Sequence, residues 1–266
     1  MKYLYHSAIS IIIILFSLPP VIASDLKREQ RMADEIVEAI LDGDAIFLQA
    51  GDDEFLSIYT QAEGNGETSK GTAIILHGRG FHPDWQDVIN PLRVGLAEAG
   101  WNTLSVQMPV LEKQAKYYDY LPLLPLAIPR IDSAIAYARE QIKNNHGVNK
   151  VVLIAHSCGA HMAMAWLERD SFESIDAYVG IGMGATDYKQ PMKHSFPLEK
   201  LKVPVFDIYA ANDYPAVIKM AGQRLRMIAA AGNAKSRQQV VDDAEHYYKD
   251  RGETLTKIIS EWLQSI

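Results

Sequence analysis

The stretch V-V-L-I-A-H-S-C-G-A-H-M-A-M-A-W occupies residues 151–166 and changes character near its middle. Its first five residues are apolar, as in a strand that is buried on both faces of a sheet. His-Ser-Cys-Gly follows at 156–159, and an apolar helical pattern then covers 160–169. The pattern predicts a strand, a sharp turn and a helix. At the turn, either Ser157 or Cys158 is a reactive group, or Ser157 is an ordinary turn residue.

Strands and helices alternate on both sides of this stretch. An N-terminal helix (25–41) and two strands around the turn 51–53 come first. The remaining predicted strands cover 72–76, 101–108, 151–155, 177–181, 205–209 and 238–241, and the remaining predicted helices cover 87–99, 128–142, 160–169, 218–231 and 253–266. This order predicts an α/β fold with a mostly parallel central sheet and helices on both faces. Ligands of such sheets bind at the carboxyl ends of the strands.

The first 23 residues have the layout of a secretory signal peptide. Lys2 gives a positive start, an apolar run covers 8–18, and Pro19-Pro20 precedes the small-residue site at 21–23. The alternative is an uncleaved anchor, but the run is shorter than the roughly 20 residues that span a bilayer. We therefore expect cleavage, no stable membrane span afterwards, and a periplasmic or secreted mature chain.

The composition is that of a globular protein with a substantial core. The chain has 266 residues, 48% of them hydrophobic, and a formal net charge of −7. Residues 24–266 fit one domain. The acidic balance argues against nucleic-acid binding, because no basic stripe could neutralise phosphates. The sequence does not indicate an oligomeric state.

Cofactor and metal signatures are missing from the sequence. Cys158 is the only cysteine, so no internal disulfide can form. No His/Cys/Asp/Glu group has metal-ligand spacing, and neither G-x-G-x-x-G nor a P-loop occurs. We expect no metal and no cofactor.

The context of Ser157 favours a nucleophile on a strand-to-helix turn. The bare pattern Ser-x-Gly is weak, since Ser69-Lys70-Gly71 matches it too. At Ser157, however, a buried strand leads in, a helix leads out, and the flanking residues Ala155 and Gly159 are small. A nucleophile elbow needs small residues there because larger ones would collide with the neighbouring strand and helix. The rival Cys158 lies one residue further on, where its side chain should point into the fold and pack as a small hydrophobe.

A serine nucleophile needs a base that is oriented by a third group. Asp213 follows the predicted strand at 205–209, and His246 follows the last predicted strand. His246 is the only histidine after this acid, which gives the chain order nucleophile, acid, histidine. Asp207 lies inside a strand and is expected to be structural. Asp242 and Asp243 are expected to form a turn.

The loop H-G-R-G at 77–80 follows the strand 72–76 and is the expected second wall of the site. We expect the backbone N–H groups of Arg79 and Cys158 to form an oxyanion hole. Loop support is expected from four residues: His77, Gly78, Gly80 and Gly159. The aromatic, proline-broken segment 110–126 is either a small lid or packed core. Candidate pocket residues are His156, Tyr117, Tyr118, Leu121 and Met183. His156 and His161 flank the turn and are either pocket-lining groups or core histidines.

The motifs L-H-G-R-G-F-H-P-D-W, G-W-N-T-L-S-V-Q-M-P and A-H-S-C-G-A-H-M-A carry a family resemblance. The chain resembles α/β-hydrolase fold proteins over nearly its whole mature length. More narrowly, it is similar to a little-characterised proteobacterial family of exported α/β-hydrolase-like proteins. The resemblance implies the fold and a hydrolase activity, but no particular substrate. The Ser157, His246 and Asp213 pattern favours a serine hydrolase that cleaves a carboxylic ester of a small-molecule or lipid-like acyl compound, ahead of a thioester or an amide. An acyltransferase on the same triad and a non-catalytic envelope binding module are the alternatives.

Overall fold

Within the residues that the structure describes, eight strands form one sheet. The computed structural model describes residues 23–64, 69–144, 150–169, 174–184 and 196–266. The strands are β1 Asp44–Ala50, β2 Asp53–Thr60, β3 Thr72–Leu76, β4 Asn102–Val106, β5 Val151–His156, β6 Ala177–Ile181, β7 Val205–Asn212 and β8 Arg237–Glu245. The strands lie in the order β1-β2-β4-β3-β5-β6-β7-β8. Strands β1 and β2 form an antiparallel hairpin and β2 is antiparallel to β4, whereas β4, β3, β5, β6, β7 and β8 are parallel to one another.

Seven helices connect and cover these strands within the described residues. They are α1 Leu26–Ala39, α2 Ile89–Glu98, α3 Tyr117–Tyr120, α4 Ala127–Asn144, α5 Cys158–Leu167, α6 Pro215–Ala231 and α7 Gly252–Gln264. Local chemistry sets several ends. The Asp25 carboxylate caps α1 by accepting from the Arg28 N–H, Pro215 occupies the first position of α6, and Gly232 ends α6 with a φ of 78°.

Both faces of the sheet are buried, as predicted for this fold class. Along β5, Leu153 and Ala155 join the apolar core beneath α4 and α5. Val152 and Ile154 point the other way and join the core beneath α2 and α7. This alternation follows from the two-residue period of a strand, and it explains why β5 is apolar throughout. The predicted α/β architecture with a mostly parallel sheet is confirmed.

Several predicted boundaries are wrong by a few residues. Strands β7 and β8 continue to Asn212 and Glu245 because their ends pair with each other past an irregularity at Ala210/Asn212. Asp242 and Asp243 therefore belong to β8 and not to a turn. Helix α5 begins at Cys158, two residues before the predicted start, because no further loop separates it from Ser157.

The segment 110–126 contributes several side chains to the core. It forms α3 and a 3-10 helix over Leu121–Leu126. Val110, Tyr117, Tyr120, Leu123 and Leu124 are buried, whereas residues 112–114, 116, 119, 122, 125 and 126 are exposed. Packed core describes the buried side chains, and a lid formed by the exposed residues stays a prediction.

Two expectations concern the membrane. Among the described residues, none of the helices combines the length and the apolar character that crossing a bilayer requires. Nearly all of the predicted signal peptide, residues 1–22, lies outside the described residues, and it stays a prediction.

A buried ion pair joins α6 to the sheet. Arg224 Nε lies 2.8 Å from Asp207 Oδ2, and both side chains are almost fully buried. Arg224 Nη1 also donates to the Met183 and Val217 carbonyl oxygens at 2.7 and 2.9 Å. Asp207 is thus structural, as predicted.

We expect Arg224→Met to lower the free energy of unfolding by about 3 kcal/mol or more, because it leaves a buried carboxylate without its cation. The exposed neighbour Arg226 on the same helix provides the control, and Arg226→Met should change the free energy of unfolding by less than about 0.5 kcal/mol. Urea unfolding at pH 7 measures both. Equal effects of the two substitutions would contradict a structural role for the pair.

Candidate active site

Ser157 lies at a sharp turn between the end of β5 and the start of α5. Its backbone has φ 54° and ψ −118°, a positive φ that residues other than glycine rarely adopt. Two residues later, a Cβ on Gly159 would lie 2.5 Å from the His77 carbonyl oxygen and 2.8 Å from that of Leu76. Only glycine fits this close approach of α5 to β3. The backbone therefore has the sharp turn with small flanking residues that the sequence predicts.

A continuous chain of hydrogen bonds links Ser157, His246 and Asp213. His246 Nε2 lies 2.8 Å from Ser157 Oγ, and His246 Nδ1 lies 2.6 Å from Asp213 Oδ1. Since a carboxylate oxygen can only accept, Nδ1 donates to Asp213 and Nε2 is left to accept from the serine hydroxyl. All three side chains are buried or nearly so. The structure therefore brings together the three residues that the sequence singled out.

Asp213 and His246 reach Ser157 because they follow neighbouring parallel strands. Asp213 comes directly after β7, and His246 comes directly after β8. The Tyr214 N–H donates to Asp213 Oδ1 at 2.7 Å, which fixes the carboxylate beneath the imidazole. The carboxyl ends of β5, β7 and β8 thus supply all three groups at one edge of the sheet.

His156 holds the loop that carries His246. Its Nε2 lies 2.9 Å from the His246 carbonyl oxygen, to which it must donate. Complete burial lowers the pKa of His156 to about 3, so the ring is neutral. Of the two alternatives for His156, the structure supports a core histidine and not a pocket-lining group. Its side chain follows the alternation of β5 and points to the α2/α7 face, where it also contacts Trp85.

The loop after β3 is ordered by His77, as predicted. His77 Nδ1 donates to the Gly78 carbonyl oxygen at 2.8 Å, and the Met108 N–H donates to Nε2 at 2.9 Å. Burial lowers the pKa of His77 to about 3, which keeps this donor–acceptor arrangement intact at neutral pH. A Cβ on Gly78 would lie 3.4 Å from Ser157 Cβ, so the loop runs directly against the turn.

Cys158 is separated from this chemistry by its side-chain direction. Its side chain is 1% exposed and packs in the apolar core beneath α4 and α5. Ser157 Oγ, not the thiol, lies beside His246. As the first residue of α5, Cys158 places its backbone N–H at the helix N-terminus next to Ser157.

A cavity of about 240 Å³ opens onto Ser157. The described residues around it come from α1, from the loop after β3, from the segment before α4 and from the loop after β8. They are Arg28, Arg79, Gly80, Phe81, Glu112, Lys113, Ala115, Tyr120, Ser157 and Tyr247. Arg79 and Gly80 were expected near the nucleophile and are there.

The other predicted pocket residues do not line this cavity. Tyr117 is buried and packs its ring on His161, with centroids 4.8 Å apart. Met183 is fully buried against Tyr178 and occupies the space that a side chain on Gly180 would fill. Tyr118 and Leu121 are partly exposed but are not among the described lining residues. For Tyr117 the prediction fails because α3 turns its ring toward His161 in the core.

Sequence reasoning missed the aromatic rings that surround His246. Tyr214 and Tyr247 flank the imidazole at centroid distances of 4.5 and 5.1 Å, and their hydroxyl groups hydrogen-bond to each other at 2.9 Å. Each directly follows a triad residue in the sequence, and Phe81 directly follows the loop 77–80. Their positions next to these motifs could therefore have indicated them. Arg28 lies in a helix far from the motifs in the sequence, and no sequence feature indicated that it borders the site.

The described residues contain no group of three or more His, Cys, Asp or Glu side chains that could hold a metal ion.

Solved structures with the same fold superpose on most of the chain. Est1E from Butyrivibrio proteoclasticus is 15% identical, with a TM-score of 0.62 over 83% of this chain and 98% of that one. A dienelactone hydrolase from Anabaena variabilis is 20% identical, with a TM-score of 0.60 over 84% and 96%. A serine hydrolase without a lid from Xanthomonas campestris is 13% identical, with a TM-score of 0.58 over 85% and 95%.

At such identities the likeness establishes the architecture: this chain has an α/β-hydrolase fold. The chain belongs to the family described as "Protein of unknown function (DUF3530)", whose model matches residues 19–119 and 126–265. No curated protein matches the chain. The family description states neither an activity nor export.

Three buried neutral histidines predict acid sensitivity of the fold. Burial lowers the pKa of His77 and His156 to about 3 and that of His161 to about 4, against 6.5 in an unfolded chain. Between these values the unfolded state binds more protons, so stability is lost as pH falls below about 6.5. Each histidine can contribute a slope approaching about 1.4 kcal/mol per pH unit.

We expect the free energy of unfolding, measured with urea at pH 7, 6 and 5, to fall steeply over this range. His161→Gln removes one of the titrating groups and should make the slope shallower. A free energy of unfolding that stays constant from pH 7 to 5 would show that these histidines are not buried in neutral form.

Proposed function

We propose that this protein is a serine hydrolase that cleaves a carboxylic ester through an acyl-enzyme. The observation that carries the proposal is the hydrogen-bonded chain Ser157–His246–Asp213 with its serine facing a cavity. A serine becomes a nucleophile when a neighbouring base takes its proton and a third group orients that base. A small-molecule acyl compound suits a cavity of about 240 Å³.

In the first half-reaction, Ser157 Oγ attacks the carbonyl carbon while its proton passes to His246 Nε2. The resulting oxyanion is held by the backbone N–H groups of Arg79 and Cys158. Collapse of the tetrahedral intermediate breaks the bond to the alkoxide, which leaves with the proton from His246. In the second half-reaction, water attacks the acyl-enzyme, His246 takes its proton and returns it to Ser157 Oγ, and the acid departs. Asp213 stabilises the imidazolium in both halves.

Export belongs to the same proposal. It rests on the layout of residues 1–23: a positive start, a short apolar run and a small-residue cleavage site. The substrate would then be met in the periplasm or outside the cell.

A fluorophosphonate probe tests the activated serine directly. We expect the mature wild-type protein to be labelled at Ser157, with fluoride as the leaving group. Ser157→Ala should abolish labelling, and Cys158→Ala should retain it, since the buried thiol takes no part. Mass spectrometry of the intact protein measures the adduct.

The outcomes separate the alternatives. Absence of labelling in a folded wild-type protein would overturn the proposal and favour a binding module on a hydrolase fold. Labelling that is lost in Cys158→Ala but kept in Ser157→Ala would show that the Cys158 thiol, and not the Ser157 hydroxyl, is the nucleophile. If labelling succeeds, product analysis with an added alcohol distinguishes hydrolysis from acyl transfer.

His156 provides a test of how the base is positioned. We expect His156→Leu, which removes the hydrogen bond to the His246 carbonyl, to slow labelling on the order of tenfold or more, because displacement of a catalytic group by about 1 Å can cost about 100-fold. His156→Gln can still donate from its amide and should stay within about threefold of wild type. A purely structural role would instead lower stability in both variants and leave the labelling rate of the folded protein unchanged.

A further inference from the structure

The cavity beside Ser157 carries a cation that the catalytic chain does not use. Arg28 comes from the first turn of α1, far from the triad in sequence, yet its guanidinium borders the same cavity as Ser157. No carboxylate of the described residues forms an ion pair with it. Buried arginines are usually paired with a carboxylate. Arg28 is half-buried beside Ser157 in a chain of net charge −7, and this lack of an ion pair makes it a candidate for binding an anionic ligand.

The position of Arg28 is fixed by two backbone contacts. Nη2 donates to the Gly80 carbonyl oxygen at 2.9 Å, and Nη1 donates to the Leu111 carbonyl oxygen. A guanidinium has five N–H donors, so these two contacts leave others for a ligand. Because the contacts join α1 to both walls of the cavity, the guanidinium is held in place before a ligand arrives, which lowers the entropic cost of binding.

A second donor lies beside it. Gly80 brings the two groups together, since a Cβ there would lie 3.7 Å from Arg28 Nη2 and 3.8 Å from the Tyr120 hydroxyl oxygen. The Tyr120 oxygen accepts from the Leu111 N–H at 2.9 Å, which leaves its own O–H to donate. Burial raises the pKa of Tyr120 to about 12, so this proton is retained at neutral pH. At the exposed rim, the Lys113 ammonium group and the Glu112 carboxylate both border the cavity, so the buried end at Arg28 and Tyr120 is where its donors are concentrated.

We propose that Arg28 and Tyr120, with Lys113 at the rim, form an anion subsite that selects esters bearing a carboxylate or phosphate group. This rests on the proposed function and names its substrate class. The subsite and Ser157 Oγ share one cavity of about 240 Å³, so only a few bonds can separate the anionic group from the reacting carbonyl. A guanidinium suits both oxyanions because its N–H donors match their paired oxygens.

Two matched substrate pairs test the subsite and identify the anion. The first compares mono-p-nitrophenyl glutarate with p-nitrophenyl pentanoate, which places a carboxylate on the acyl side. The second compares 1-butyrylglycerol 3-phosphate with 1-butyrylglycerol, which places a phosphate on the alcohol side. For at least one pair we expect kcat/KM to be about tenfold or more higher for the anionic member, the gain that one charge-assisted hydrogen bond provides. The preference should shrink as ionic strength rises.

Arg28→Gln should bring the ratio of anionic to neutral kcat/KM close to one. Both members of a pair use the same serine, so this ratio is insensitive to damage to the chemistry itself. Arg31→Gln, at an exposed position on the same helix, is the matched control and should leave the ratio unchanged. A wild-type ratio of one or less for both pairs, or an unchanged ratio in Arg28→Gln, overturns the subsite while the proposed function stands.

Binding to Ser157→Ala separates failure of the subsite from failure of catalysis. Calorimetry with the mono-4-nitroanilide of glutaric acid and with the 4-nitroanilide of pentanoic acid requires no turnover. We expect the anionic amide to bind about tenfold more tightly, and the difference to vanish in Ser157→Ala/Arg28→Gln. Equal Kd values overturn the subsite whatever the labelling experiment shows. Tighter binding of the anion together with unlabelled wild-type protein would overturn the hydrolase and retain the subsite.

Discussion

The close approach of α5 to β3 at Gly159 is the constraint on which the rest of the site depends. With no side chain at Gly159, the helix begins within contact of the Leu76 and His77 carbonyl oxygens. Ser157 must then adopt a positive φ to turn the chain from strand to helix in one residue. At this turn the Ser157 hydroxyl lies at the carboxyl edge of the sheet, and the Cys158 side chain points into the core.

The parallel sheet brings the side chains of Asp213 and His246 next to Ser157. Strands β5, β6, β7 and β8 are neighbours in that order, so their carboxyl ends meet at one edge. His246 is 89 residues from Ser157 and 33 residues from Asp213, yet both hydrogen bonds are shorter than 3 Å. The Tyr214 N–H fixes the Asp213 carboxylate within its own loop, and the His156 bond to the His246 carbonyl oxygen ties the loop after β8 to the end of β5.

The sequence predicts those features that depend on residues close together in the chain, and it does not predict contacts between distant residues. The turn at Ser157, the acid after β7 and the histidine after β8 are local features of strand ends, and local patterns indicate them. The direction of His156 could also have been inferred, since residues 152, 154 and 156 share one face of β5. The cavity could not, because Arg28 and Tyr120 meet only when α1 and the segment before α4 pack against the loop after β3. No periodicity encodes such a long-range contact.

Two buried, neutral histidines hold the loops around the site. His77 and His156 each donate one proton to a backbone carbonyl, and burial keeps both rings uncharged at neutral pH. A protonated His156 ring, whose centroid lies 5.2 Å from that of His246, would oppose a positive charge on the His246 imidazole. The two rings therefore shape the loops without adding charge. These polar groups position the hydrogen-bonded chain Ser157–His246–Asp213, whereas Arg28 and Phe81 line the cavity that it faces. Because the two tasks fall to different residues, the proposed function predicts that substitutions at Arg28 alter substrate choice separately from the proton path through His246.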